Sequence, residues 1–184
     1  MRSDLPFSVM SVPAPLFATV LGFVALCMAS DLRTRRIPNA ITGPAMLAGA
    51  AFNVLYGGRA GLLASLGGLT LGAAILLPPF AAGGIGGGDV KMMGAVGALL
   101  GPHRTLLGLA TGLVLGGLVM TVHLARQGRL REKLAAIAVM IGGVAVSGSV
   151  EPLKLSADAP GAVSLPYSVP LGLGAVTALV LGTP

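Results

Sequence analysis

Residues 62–82, LLASLGGLTLGAAILLPPFAA, run for 21 positions without a charge. A helix needs roughly 20 apolar residues to cross the hydrocarbon of a bilayer, so this stretch is long enough to span one. Further apolar stretches lie on either side of it: Val12 to Ser30, Ala40 to Tyr56, Val90 to Leu100, Thr105 to Ala125, Leu134 to Val150 and Pro166 to Leu181. The whole chain agrees, with 54% hydrophobic residues, 10% charged residues and a mean hydropathy of +0.91. An ordinary soluble domain carries roughly 25% charged residues. The expectation is an all-α fold: a polytopic integral membrane helical bundle of about six transmembrane helices, in a single domain over residues 1–184 with no separate soluble domain. The 29 glycines fit a bundle in lipid, where small residues let helix backbones approach closely.

The first stretch also invites a signal-peptide reading, because Arg2 precedes it and Met28-Ala29-Ser30 offers small residues for cleavage. It is as long as a spanning helix and more spans follow, so it reads as the first helix. Val90 to Leu100 is short and reaches span length only by borrowing Gly101 to Arg104. Leu134 to Val150 is either a thin span, giving seven, or an interfacial or re-entrant segment, giving six. Gly57-Gly58-Arg59-Ala60-Gly61 reads as a tight turn between two spans.

Charge sets the orientation. Arg33, Arg35 and Arg36 follow the first stretch, Lys91 follows the third, and Arg126, Arg129, Arg131 and Lys133 follow the fifth. Alternate loops thus hold eight of the twelve basic residues, and the positive-inside rule makes those loops cytoplasmic. The net charge of +6 reports this orientation, and no aromatic-and-basic surface argues for nucleic acid. Cys27 is the only cysteine, so a disulfide or a cysteine-based zinc site is excluded, and it reads as a small buried hydrophobe. His103 and His123 lack matched acidic partners, which leaves no metal site, and no cofactor motif stands in the chain. Glu151 and Asp158 belong to a polar loop and read as solvated.

Two aspartates stand at the ends of apolar stretches, Asp31 in Ser30-Asp31-Leu32-Arg33 and Asp89 in Gly83-Gly84-Ile85-Gly86-Gly87-Gly88-Asp89-Val90-Lys91. A carboxylate near membrane depth costs several kcal/mol unless paired, hydrated or used, which marks each as a candidate functional group. Both fall on the cytoplasmic side in the topology above. Taken singly, Asp89 has a plain role as a cap for the helix that follows, and Asp31 as a polar residue closing the first helix. Capping does not explain the glycine run. Pro78-Pro79 interrupt the helical ladder just upstream, so Gly83 to Gly88 is expected to be irregular backbone, either a surface loop or the wall of a site. Phosphate-binding patterns fail on spacing: Lys91 is followed by Met92, and Asp89 takes the place of a required glycine.

Gly86-Gly87-Gly88-Asp89 matches the Gly-x-Gly-Asp signature of intramembrane-type aspartyl proteases, and Val90-Lys91-Met92-Met93-Gly94-Ala95 resembles its extension in type IV prepilin peptidases. Asp31 with Arg36-Ile37-Pro38-Asn39 resembles the first aspartate motif of that family, and Leu165-Pro166-Tyr167 its C-terminal motif. The resemblance implies a leader peptidase cleaving the basic leader of prepilins or pseudopilins at the cytoplasmic face of the bacterial inner membrane, typically after a glycine. Asp31 and Asp89 would be catalytic, and Gly86, Gly88, Lys91, Pro38 and Asn39 supporting or substrate-adjacent. The length resembles the short forms serving Flp-type tight-adherence pili. Only some eleven residues precede the first apolar stretch and no cysteine pair is present, so the methyltransferase activity of the long forms is not expected.

Two carboxylates brought close cannot both ionise cheaply, so such a pair holds one proton, one member acting as base toward an attacking water and the other as acid. Which residue takes which part is not legible. Gly86 to Gly88 would let an extended substrate backbone approach. Lys91 stands two residues past Asp89 and points away from it on a helix, which leaves it an orientation-setting cation as readily as an electrostatic aid. The expected partners are the prepilin or pseudopilin precursor and membrane lipid, with oligomeric state open. The alternative from another class is a small ion- or proton-coupled transporter with the two aspartates as cation sites near the midplane; a third is a non-catalytic assembly subunit.

Overall fold

The computed structural model describes residues 13–81, 84–128, 130–131, 135 and 167–181. They form helices α1 (Ala14–Thr34), α2 (Asn39–Ala81), α3 (Gly87–Arg126) and α4 (Ser168–Leu181), with no strand among the described residues. The fold is all-α, and α1, α2 and α3 are long and apolar enough to cross a membrane. Of the seven apolar stretches, Leu134 to Val150 lies outside the described residues apart from Ala135, as do Glu151, Asp158 and the Leu165-Pro166 of the C-terminal motif.

Helices α2 and α3, at 43 and 40 residues, are each about twice the length a bilayer requires. Each is broken at a glycine in a conformation closed to other residues: Gly58 at φ 55°, ψ −136°, and Gly101 at φ 76°, ψ 174°. Each break reverses the chain. Asn53 and Gly61 meet across the first, where a Cβ at Gly61 would fall 1.8 Å from the Asn53 carbonyl oxygen. The Gly57–Gly61 turn therefore takes the form of a single glycine hinge. The expected short helix from Val90 gains its length at the other end: it starts at Gly87 and stops at Gly101 rather than borrowing residues beyond it.

Prolines shape the rest. Pro78 and Pro79 do not end α2, which carries through them to Ala81. Pro102 has no N–H, so the Ala98 carbonyl four residues earlier has no helical donor. Asn53 Nδ2 (2.9 Å) and Ser65 Oγ (2.8 Å), one from each arm of α2, donate to it instead.

The first arm of α3 is the centre of the bundle, with Met92, Met93, Ala95, Val96 and Ala98 wholly buried. Both arms of α2 lie against it at glycines. A Cβ at Gly97 would lie 2.0 Å from the Gly68 carbonyl oxygen, and one at Gly49 would lie 2.6 Å from the Ala98 carbonyl carbon. The second arm of α3 pairs with α4 through Gly108, Gly112 and Gly116, which face Ala175, Leu171 and Pro170 in descending order, so the two run antiparallel. Large apolar side chains face outward, among them Leu47, Leu55, Leu63 and Val114. An exterior of that kind is suited to lipid rather than water.

Candidate active site

The connections place the end of α1, both ends of α2, the start of α3 and the start of α4 at one end of the bundle. Asp31 stands in the last turn of α1, and its backbone carbonyl receives the Arg35 N–H at 2.8 Å. Arg35 closes the helix in the left-handed conformation, φ 51°, which turns the chain through Arg36-Ile37-Pro38 into α2. The Pro38 carbonyl then accepts the Ile41 N–H at 3.0 Å, giving the first turn of α2 an acceptor.

Asp89 lies in the first turn of α3. Gly86 precedes the helix in extended conformation, and its N–H reaches back to Asp89 Oδ2 at 3.3 Å. Gly86, not Asp89, is thus the N-cap residue, and Asp89 takes part in capping only by accepting the Gly86 N–H on one carboxylate oxygen. Capping does not account for the other, since Oδ1 is buried and makes no hydrogen bond among the described residues. A carboxylate that is only 6% exposed and half satisfied carries a cost that capping alone would not require.

The two carboxylates share a cleft. Asp31, Arg35, Arg36, Ile37, Gly86, Gly87, Gly88 and Asp89 together line one cleft of about 280 Å³, although 58 residues separate the aspartates in sequence. Gly86, Gly87 and Gly88 are therefore wall, while Gly83 lies outside the described residues. The smallness of the wall glycines admits this chain's own side chains at two positions: a Cβ at Gly88 would lie 3.1 Å from Ile37 Cβ, and one at Gly87 would lie 3.2 Å from the Phe80 ring. Gly86 is open enough that a Cβ there would meet Asp89 Oδ2 and the Gly88 nitrogen at no closer than ordinary contact distance.

Lys91 and Asn39 are joined to each other, Nζ donating to Oδ1 at 2.9 Å. They tie the start of α2 to the second turn of α3 beside the cleft, with Pro38 adjacent and exposed, but none of the three lines it. Sequence reasoning passed over Ser168, whose hydroxyl donates to Asp31 Oδ2 at 2.5 Å from the first turn of α4. A polar residue directly after the Leu165-Pro166-Tyr167 motif, at the head of an apolar helix, was the available signal. Ile37 was noted only as part of a motif; it is buried at the cleft wall against Gly88. No group of three or more His, Cys, Asp or Glu residues able to hold a metal ion occurs among the described residues.

Fold and cleft together define an integral membrane protein with two acidic residues lining one cleft at one end of its bundle. The model of the type IV leader peptidase family matches residues 18–121, more than half of the chain, and the chain belongs to that family. It is thereby a membrane peptidase, and the matched segment contains both aspartates and the whole Gly86-Gly87-Gly88-Asp89 run. Neither the curated proteins nor the solved structures yielded a match.

Proposed function

We propose that the protein is an aspartyl endopeptidase that removes the basic leader from prepilin or pseudopilin precursors at the cytoplasmic face of the bacterial inner membrane, with Asp31 and Asp89 as its catalytic pair. One observation carries the reading: two carboxylates from different helices line a single cleft in a chain of the type IV leader peptidase family. The pair shares a proton. The ionised member takes a proton from the attacking water, and the protonated member supports the oxyanion and then serves the leaving amine. The basic residues support the orientation, since Arg33, Arg35, Arg36, Lys91 and Arg126 all stand at the cleft end of the helices, against Arg59 and Arg104 beside the Gly58 and Gly101 breaks at the opposite end.

The test replaces each carboxylate by its amide. Asp31→Asn and Asp89→Asn keep side-chain shape, and both variants are expected to insert and accumulate like the parent, because a neutral amide is cheaper to hold near lipid than a charge. Each is expected to abolish release of the leader from a prepilin substrate, with the double variant no worse than either single one. Cleavage by Asp89→Asn at the parental rate would end the proposal.

A further inference from the structure

We infer that Ser168 is a positioning residue for the reaction: its hydroxyl fixes the Asp31 carboxylate in the cleft. The inference rests on the reading of Asp31 and Asp89 as the catalytic pair.

A serine at the head of a helix ordinarily accepts hydrogen bonds from N–H groups two or three residues further on. Here neither is available to it. Position 170 is proline, which has no N–H, and the Leu171 N–H goes to the Tyr167 carbonyl at 3.1 Å. Ser168 is nonetheless wholly buried, and among the described residues its hydroxyl donates to Asp31 Oδ2, 137 residues away in sequence. A hydroxyl placed inside the protein and given to a carboxylate serves that carboxylate.

The helix carrying Ser168 is held at a defined depth. A Cβ at Gly172 would fall 2.8 Å from Met28 Sδ and 2.9 Å from Val24 Cγ1, so α4 lies directly on the last turns of α1 that carry Asp31. On its other side a Cβ at Gly174 would fall 2.2 Å from the Gly108 carbonyl oxygen. These contacts pack α4 closely between α1 and α3, with Ser168 level with Asp31.

The two carboxylates are thus held by different means. Asp89 is steadied by the N–H of Gly86 in its own turn. Asp31 ends a helix and faces a cleft, and a hydroxyl from the far end of the chain stops it rotating about Cβ–Cγ. With Oδ2 engaged, Oδ1 remains for the water that the pair must activate. Ser168 itself is absent from the cleft lining, so substrate does not touch it. Its loss should reach the chemical step and leave binding alone.

The full chain, purified in detergent, is assayed on a precursor with a basic leader, a glycine and an apolar helix. Ser168→Ala is expected to lower kcat by about tenfold, the weight of one hydrogen bond to a charged group, with KM within about twofold of the parent. Ser168→Thr and Ser168→Val share a shape and differ only in the hydroxyl, so any packing cost is common to both. The Thr variant is expected to exceed the Val variant in kcat by a similar factor. Equal kcat for Thr and Val, or a loss in Ser168→Ala that appears in KM alone, would overturn the inference. Asp31→Asn and Asp89→Asn run in the same assay: if they cleave, the catalytic pair falls and takes this inference with it. If they are silent while Ser168→Ala matches the parent, only the positioning role is lost.

Discussion

Asn53 illustrates how a single polar side chain can make a break in a membrane helix tolerable. Its Nδ2 donates to the carbonyls of Gly49, Ala98 and Leu99, at 2.9, 2.9 and 3.2 Å, and Ser65 adds a second donor to Ala98. Water is absent from a bilayer core, so carbonyls freed by Gly101 and Pro102 must find partners inside the protein. Ser65→Ala is expected to cost about 1 kcal/mol and Asn53→Ala about 2–3 kcal/mol, because the amide serves more acceptors. The double variant should lose more than the sum, since the Ala98 carbonyl then has neither side-chain donor. Unfolding in mixed micelles measures all three; strict additivity would show that the two donors do not share one acceptor's fate. The sequence offers no view of this arrangement. Asn53 reads as an isolated polar residue in an apolar run, and two of its three partners stand 45 and 46 residues away. The same distance problem hid Ser168, whereas Asp31 and Asp89 were legible because a charge in an apolar chain demands an explanation wherever its partner lies.

At the scale of the helices, glycine determines which surfaces meet. The crossing of α2 and α3 brings Gly68 and Gly97 backbone to backbone, so that a Cβ on Gly97 would overlap the Gly68 carbonyl at 2.0 Å. Gly67, one residue away on the same helix, has nothing within 4 Å of where its Cβ would be. Gly97→Ala is therefore expected to destabilise the protein by about 3 kcal/mol or more through forced separation of the two backbones. Gly67→Ala is expected to be neutral or slightly stabilising through better helix propensity. Thermal melts of the two variants decide it, and equal melting temperatures would mean that the close crossing does not hold the bundle together. Composition announced a glycine-packed bundle, but it could not say which glycines pack, because that depends on the rotation of each helix about its axis. The hinges were partly legible. Gly57–Gly61 signalled a turn, while Gly101 was read as a possible continuation of a span, since one glycine before a proline resembles many tolerated kinks and only its positive φ makes it a reversal. Pro78-Pro79 misled in the other direction, since α2 runs on through both prolines for a further half turn to Ala81.

For the whole molecule, the consequence of these reversals is that every catalytic and supporting candidate gathers at one end. Thr34 at the close of α1 and Ala60 beyond the Gly58 hinge are both exposed, and the intervening arm of α2 separates them. That arm, residues 39–57, is about 28 Å long at 1.5 Å per residue, close to the hydrocarbon thickness. Thr34 should then lie on the cytoplasmic side with the cleft, and Ala60 on the opposite side. In a Cys27→Ala background, Ala60→Cys is expected to react with a membrane-impermeant thiol reagent added to intact cells. Thr34→Cys is expected to react only once the membrane is opened. Neither substitution changes the charge distribution that sets the orientation. The reverse pattern would place the paired aspartates on the outer face, where a leader that remains in the cytoplasm cannot reach them, and the proposed substrate would have to be abandoned even if the cleft itself were correctly drawn.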